Sequence, residues 1–400
     1  MRRPRFSLPV PVLALAALIA PAALGACTAP AAGPGAAQPQ PSPSRSTALP
    51  LGPAASGGGS GTAAGLSLAP RHTSPFSLVG VVWDDAAQPL DAVVRFRAHR
   101  VHGTWGPWTT LDSSDADTPT PAANGGRAAL GGTPPLWVGP SDGVQVALRP
   151  AGRGPMPAAL PPLPAGLRLE LVDAGDAAAT GTGSGGTTAA AGTRWSAPEP
   201  AIVPRSVWGP GTPGPDTPIQ YADEVRAVFI HHTDSGNDYD CKDAPDVIRS
   251  IEEYHVRDRA YDDIGYNFLV DRCGTIYEGR PGGISRPVIG AHTLGFNIGT
   301  AGIAAIGSFP TGTPVPKPMI DAIARLVAWK LGLAGIDPRG KVTLTSSDSG
   351  ARFPKGTSHV FDTVSGHRDG GWTFCPGGAL YAALPEIRAE AARLQHRPGA

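Results

Sequence analysis

The chain has 400 residues, of which 53 are glycine and 45 are proline, gathered largely in blocks that cannot build a core, so two folded units are the better estimate for this length. Its 33 Lys plus Arg balance 33 Asp plus Glu, which removes any global field favouring nucleic acid or an anionic surface as partner.

The first residues, Met1-Arg-Arg-Pro-Arg5, and the Ala/Leu/Ile/Val run from Leu8 to Ala26 have the charged start and apolar middle of an export signal, residues 1–26, and are not part of a fold. The run ends in Leu24-Gly25-Ala26-Cys27, which resembles a bacterial lipobox, where the cysteine becomes the new N-terminus and carries a lipid. An ordinary cleavage site with a chance cysteine is the alternative. Arg2-Arg3 hints at twin-arginine export, but Pro4 and Arg5 fit that pattern poorly, so the route stays open. Residues 27–72 are Ala, Gly, Pro, Ser and Thr with few larger apolar side chains, and they read as a flexible tether. As coil it has an r.m.s. reach of about 35 to 40 Å.

Residues 73–173 change to short β-like segments. Val94, Phe96 and Ala98 alternate with Arg95, Arg97 and His99, as in a half-buried strand. A small all-β domain, a sandwich, is expected. Trp83, Trp105, Trp108 and Trp137 are either packing residues, the commoner role in a small β domain, or a face for stacking carbohydrate. Residues 174–198 return to Gly, Thr, Ala and Ser as a linker, and 199–398 form the second unit, long enough for one substantial core.

In that unit the apolar run Arg226 to His232 suits a buried central strand. Asp243 to His255 opens with Pro245 and acidic residues and places Val247, Ile251 and Tyr254 on one helical face. Asn267 to Asp271 and Thr275 to Glu278 flank Gly274 as a hairpin, and Gly302 to Ile306 is another strand. Helices follow through Ile320, Ile323, Leu326, Val327 and Leu331, and through Leu380, Leu384, Ile387 and Leu394. The fold class is thus α/β, a mixed central sheet flanked by helices, preceded by the all-β domain.

His367 and Cys375 lie close in sequence, and imidazole with thiolate is the donor set zinc prefers; three protein ligands would leave a fourth position open for catalysis. The third ligand is to be found among His72, His99, His102, His231, His232, His255, His292, His359 and His396. His231 and His232 are favoured because they end a buried strand, where α/β proteins place chemistry. Adjacent strand residues face opposite ways, so only one of them can join His367 and Cys375. If Cys27 is acylated and Cys375 holds metal, Cys241 and Cys273 remain as one pair: a disulfide in an oxidising compartment, or two reduced core cysteines.

Six stretches in order then resemble the peptidoglycan recognition protein and N-acetylmuramoyl-L-alanine amidase family over residues 204–394. They are Pro204-Arg-Ser-Val-Trp208-Gly, His231-His-Thr233, Asp263-Ile-Gly-Tyr-Asn-Phe268, Tyr277-Glu-Gly-Arg280, Gly290-Ala-His-Thr293 with Gly295-Phe-Asn297, and Gly366-His-Arg-Asp369 followed by Thr373-Phe-Cys-Pro-Gly377. The resemblance implies zinc ligands at His231, His367 and Cys375, with Tyr266 and Thr373 beside the metal. Phage lysozyme-type relatives carry lysine where this chain has Thr373, so a hydroxyl here replaces a positive charge. It further implies His292, Asn297, Arg280 and His232 as substrate contacts, although Arg280 could equally brace a loop and His232 could simply pack.

The implied activity is zinc-dependent hydrolysis of the amide between N-acetylmuramic acid and L-alanine in peptidoglycan, by an exported, lipid-anchored monomer of actinobacterial type that remodels its own wall. A module that binds peptidoglycan without cutting it is the alternative; members that only bind typically lack one of the three ligands.

Overall fold

A computed structural model of the protein describes residues 42–53, 65–111, 128–151, 162–175, 194–209 and 218–399. The expected export signal, Cys27 and most of the 174–198 linker lie outside these residues. Among the described residues no helix is long and apolar enough to cross a membrane.

The N-terminal unit is one antiparallel sheet of eight strands: β1 (Arg45–Pro50), β2 (Gly52–Pro53), β3 (Leu66–Trp83), β4 (Ala92–Arg100), β5 (Thr109–Leu111), β6 (Gly131–Gly132), β7 (Leu136–Pro150) and β8 (Arg168–Asp173). Its main order is β1-β8-β3-β7-β4-β5, with β2 and β6 pairing β3. Two of the three register shifts between β3 and β7 bracket Pro70 and Pro75, which lack the N–H a regular ladder needs. Bulges of this kind bend a strand, and Phe76, Val79, Val81, Val94, Phe96, Val146 and Leu169 meet in one core. The strands are hydrogen-bonded into one continuous path around that core. Trp83 and Trp137 are buried, as packing residues should be. Trp105 and Trp108 lie half-buried, with the Arg97 guanidinium 5.1 and 5.3 Å from their ring centres.

The tether expected over residues 27–72 is too long. β1 pairs with β8 along its whole length, from Arg45 opposite Asp173 to Pro50 opposite Arg168, and Leu49 and Leu51 are buried in the core. Two leucines suffice because the rest of an edge strand is held by backbone hydrogen bonds, to which composition is blind.

The second unit is a mixed sheet in the order β16-β10-β13-β11-β12-β9. Its strands are β9 (Ile202–Val203), β10 (Ala227–His232), β11 (Phe268–Val270), β12 (Ile276–Glu278), β13 (Thr300–Ala305) and β16 (Val364–Gly366). β10 is an inner strand, parallel to both β13 and the edge strand β16, and every one of its six residues is buried. β11 and β12 form the expected hairpin, with Gly274 at φ 84° in its turn. A separate hairpin of β14 (Lys341–Thr345) and β15 (Ser358–Asp362) has no counterpart among the expected elements. The helices are α1 (Arg205–Trp208), α2 (Ala244–Glu253), α3 (Lys317–Gly332), α4 (His367–Gly370), α5 (Gly378–Ala382) and α6 (Leu384–Leu394).

One side of this sheet packs on α3 and α6 through Ile323, Leu326, Val327, Leu384 and Ile387. On the other side α2 contributes Val247, Ile248 and Ile251 to a core that also takes Leu78, Val82, Trp137 and Val172 from the N-terminal sheet. The two units thus share a core. Gly80 permits this approach, since a Cβ there would fall 2.5 Å from the Tyr254 ring. Cys241 and Cys273 are joined as a disulfide, tying the turn before α2 to the β11–β12 hairpin.

Candidate metal centre

Register places the first two members. Ile230 of β10 lies opposite Gly366 of β16 in a parallel pair, so the residues that follow, His231 on β10 and His367 at the start of α4, leave the same sheet end side by side. Their ring centres are 4.4 Å apart. The chain then turns back after α4, where the Arg368 N–H donates to the Cys375 carbonyl at 2.8 Å, and this return sets Cys375 Sγ 3.7 Å from His231 Nδ1. Ligand atoms of His231, His367 and Cys375 all lie within 4.8 Å of one another, and all three residues are buried.

The donor set fits a zinc ion. Bonds of about 2.1 Å to nitrogen and 2.3 Å to sulfur at a tetrahedral angle separate the two ligand atoms by about 3.6 Å, close to the 3.7 Å found. Burial, and then the nearby His367, His292 and His232, hold the His231 pKa well below the usual histidine value, so its ring is a neutral lone-pair donor. The backbone N–H of His232 donates to Cys375 Sγ at 3.3 Å, an interaction that favours the thiolate.

Behind His231 lies His292, 1% exposed, with its Nδ1 3.2 Å from His231 Nε2. Thr300 donates its hydroxyl to the Phe296 carbonyl at 2.6 Å, which leaves its oxygen to accept from His292 Nε2 at 3.5 Å. A His292 protonated on Nε2 can accept on Nδ1 from His231 Nε2–H, the tautomer that presents a bare His231 Nδ1 to the cluster, and the Thr293 hydroxyl lies 3.1 Å from the same His292 Nδ1. Asn297 Oδ1 accepts from the backbone N–H groups of His292 and Thr293, both at 2.8 Å.

These positions correct the expectation of substrate contact at His292 and Asn297: both side chains are buried, the first packed behind His231 and the second holding the backbone of residues 292 and 293. For Arg280 the geometry matches the other alternative, a brace for its loop. Its side chain is 8% exposed, pairs with Asp262 and donates to the Ile264 carbonyl at 3.0 Å, so the fork is spent on the loop it braces.

Tyr266 is buried, its ring 5.4 Å from that of His231. The Thr373 hydroxyl accepts the Cys375 N–H at 3.0 Å. His232, on the opposite parity of β10, instead lines an open cleft of about 550 Å³. That cleft lies between the two units, with Thr110, Leu111, Pro134 and Leu136 on one wall and Asp234, Arg368 and Phe374 on the other. Phe374 is 65% exposed and its neighbour Trp372 79%, a pair of large apolar side chains flanking the Cys375 turn.

Two contributions were not anticipated from the sequence. His255, in the π-helical segment Tyr254–Asp258 that continues α2, lines a small cavity with Tyr266 and Cys375; burial pushes its pKa down to about 3, and its Nδ1 accepts the Gly265 N–H at 3.2 Å. Pro134 and Pro135 roof the same cavity, whose volume of about 20 Å³ is room for roughly one water. The roof is fixed from below: Tyr254 donates to the Thr133 carbonyl at 3.0 Å and Arg259 Nε to the Leu130 carbonyl at 3.1 Å. The run Gly131-Gly-Thr-Pro-Pro135 signals a constrained turn in the sequence, but nothing in it says what the turn covers.

A mixed α/β sheet carrying a buried His-His-Cys cluster where β10 and β16 end defines a class of domain with a metal-compatible cleft. Residues 221–378 match the family model described as N-acetylmuramoyl-L-alanine amidase, and residues 31–168 match one described as Rv3811 N-terminal galactose-binding domain-like. The chain is 40% identical over 141 residues to a peptidoglycan-recognition protein of Drosophila melanogaster, covering 35% of this chain and 74% of that one. It is 32% identical over 186 residues to peptidoglycan-recognition protein LB of the same species, 46% of this chain and 67% of that one. The solved structure of Drosophila PGRP-LB aligns at 30% identity with a TM-score of 0.36, over 46% of this chain and 91% of that one. The chain belongs to the peptidoglycan recognition protein and amidase family.

Proposed function

We propose that this chain is a zinc-dependent amidase that cuts the bond between N-acetylmuramic acid and L-alanine in peptidoglycan. One observation carries the reading: two imidazoles and a cysteine sulfur from separate stretches of a chain of this family converge within 4.8 Å. A zinc ion held by them would supply a Lewis acid for the amide carbonyl and make water nucleophilic near neutral pH.

The chain's own residues do the rest. His231 offers Nδ1 because His292 accepts its Nε2 proton, and Cys375 holds its negative charge against the His232 N–H. Tyr266, beside His231, donates its phenol proton to the developing oxyanion or orients the attacking water. Thr373, whose oxygen accepts the Cys375 N–H, stands beside the thiolate position and brings no positive charge. His255 is a neutral donor at Nε2, because its Nδ1 accepts from Gly265, and with Pro135 it walls a cavity with room for about one water. The glycopeptide lies in the cleft between the units, against Phe374 and His232, with the Arg368 guanidinium available to a stem-peptide carboxylate.

Export with a lipid on Cys27 belongs to the same reading, with the stretch between anchor and fold shortened because the first strand begins at Arg45. Digestion of purified peptidoglycan tests the chemistry: the expected products are lactyl-terminated glycan and stem peptides with a new L-alanine amino terminus. Binding to the sacculi with no such termini would favour the alternative of a recognition module.

A further inference from the structure

The N-terminal sheet holds a second set of metal-ligating side chains, on elements that supply nothing to the cluster of His231, His367 and Cys375. In the order β3-β7-β4, Gly143 of β7 lies opposite His72 on one side and opposite His99 on the other. A row of three strands puts the two histidine backbones roughly 10 Å apart. Their rings nevertheless meet above the middle strand with centres 5.0 Å apart. Glycine makes this possible, because a Cβ at 143 would fall 3.0 Å from His99 Cβ and 3.4 Å from His72 Nδ1.

The third group arrives through a bulge. Along β4 the pairing steps from His99 to Arg100, while along β7 it steps from Gly143 to Ser141, so Asp142 is the extra residue. An extra residue escapes strand alternation and its side chain is re-aimed. Asp142 Oδ1 lies 2.6 Å from His99 Nδ1 and 3.9 Å from His72 Nδ1. One ligand atom from each of the three residues lies within 4.8 Å of the others. The Trp105 ring closes one side, 5.5 Å from His99 and 6.4 Å from His72. The His72 side chain is 70% exposed, so the opposite side is open to water.

We propose that His72, His99 and Asp142 form a second metal site, which takes a borderline divalent transition cation such as zinc. Two imidazoles and one carboxylate suit zinc, nickel or copper, whereas calcium and magnesium require more oxygen donors than this site offers. The cation takes the place of the proton that His99 Nδ1 and Asp142 Oδ1 now share. Those two atoms then spread to about 3.3 Å, the separation of tetrahedral ligands at about 2.0 Å from a zinc ion, and the exposed His72 ring closes on the carboxylate. The site leaves remaining coordination positions to solvent and does not depend on the amidase reading.

Cobalt loading of the full-length Cys375→Ala variant isolates it. The variant is expected to bind one Co2+ per chain, with visible d–d bands and no thiolate charge-transfer band. Adding His72→Ala, a change at an exposed side chain, or His99→Ala should abolish that binding. In the parent chain the count should be two, falling to one with His72→Ala while the thiolate band stays. A Cys375→Ala chain that remains folded by circular dichroism and binds no cobalt, or a cobalt ion retained after both histidines are replaced, would overturn the proposal. Should Cys375→Ala fail to fold, an equal cobalt count in the parent and in His72→Ala would overturn it as well.

Discussion

Replacing His292 with phenylalanine keeps a ring behind His231 while removing the acceptor 3.2 Å from His231 Nε2. The new ring has little freedom to move, because Gly302 backs it so closely that a Cβ there would fall 2.4 Å from His292 Cγ. The His231 proton is then left with the Thr293 hydroxyl at 3.5 Å, and the tautomer that frees Nδ1 loses its main support. Loss of such a partner behind a ligating histidine costs about 10- to 100-fold in metal affinity, or about 1.4 to 2.7 kcal/mol. Competition against a chromophoric zinc chelator near neutral pH measures it, with far-UV circular dichroism as the check on folding. His292→Gln, which restores an acceptor oxygen, should recover part of the loss. An affinity unchanged in the phenylalanine variant would refute the argument that His292 sets the His231 tautomer.

Tyr266→Phe should retain zinc and lose roughly 100-fold or more in kcat, as removal of an oxyanion donor does; full activity would remove Tyr266 from the chemistry. Trp137→Ala should cost about 3 to 5 kcal/mol and, because Trp137 sits in the core shared by both units, calorimetry should show one transition moving down as a whole. Two separate transitions would contradict the shared core. His255 and His292 are both held at a pKa of about 3 in the fold against 6.5 when exposed. Between those values the unfolded chain binds more protons, so the stability of the zinc-free protein is full above pH 6.5 and falls as pH drops towards 3. Urea melts across that window check the sign, and stability that rises on acidification would contradict it.

The site's members were legible because histidine and cysteine are scarce and their neighbours are distinctive. Strand parity argued that only one of His231 and His232 could join the cluster, and the observed register of β10 against β16 shows why that one is beside His367. The roles of Arg280, His292 and Asn297 were not legible, since a polar residue in a motif reads the same whether it meets substrate or braces a ligand. Burial and the Asp262 partner favour the bracing role, and burial is set by the packing of the whole fold.

The shared core left a trace that alternation alone could not interpret. In β3 the run Leu78-Val-Gly-Val-Val-Trp83 is apolar on both parities, the mark of a strand covered on both faces. Val79 and Val81 face the sheet's own core, whereas Leu78 and Val82 meet α2. β1 left almost none, because an edge strand in an Ala, Pro and Thr background is specified by its partner's backbone. The β14–β15 hairpin was missed although Val342 and Leu344 alternate with Lys341, Thr343 and Thr345.

Metal reconstitution of the parent chain tests the central claim most directly. Zinc-stripped protein incubated with peptidoglycan should release no new L-alanine amino termini, and activity should return as zinc is added back. Cys375→Ala should stay inactive at every zinc concentration. Equal release before and after metal removal, or an active Cys375→Ala chain, would contradict the account.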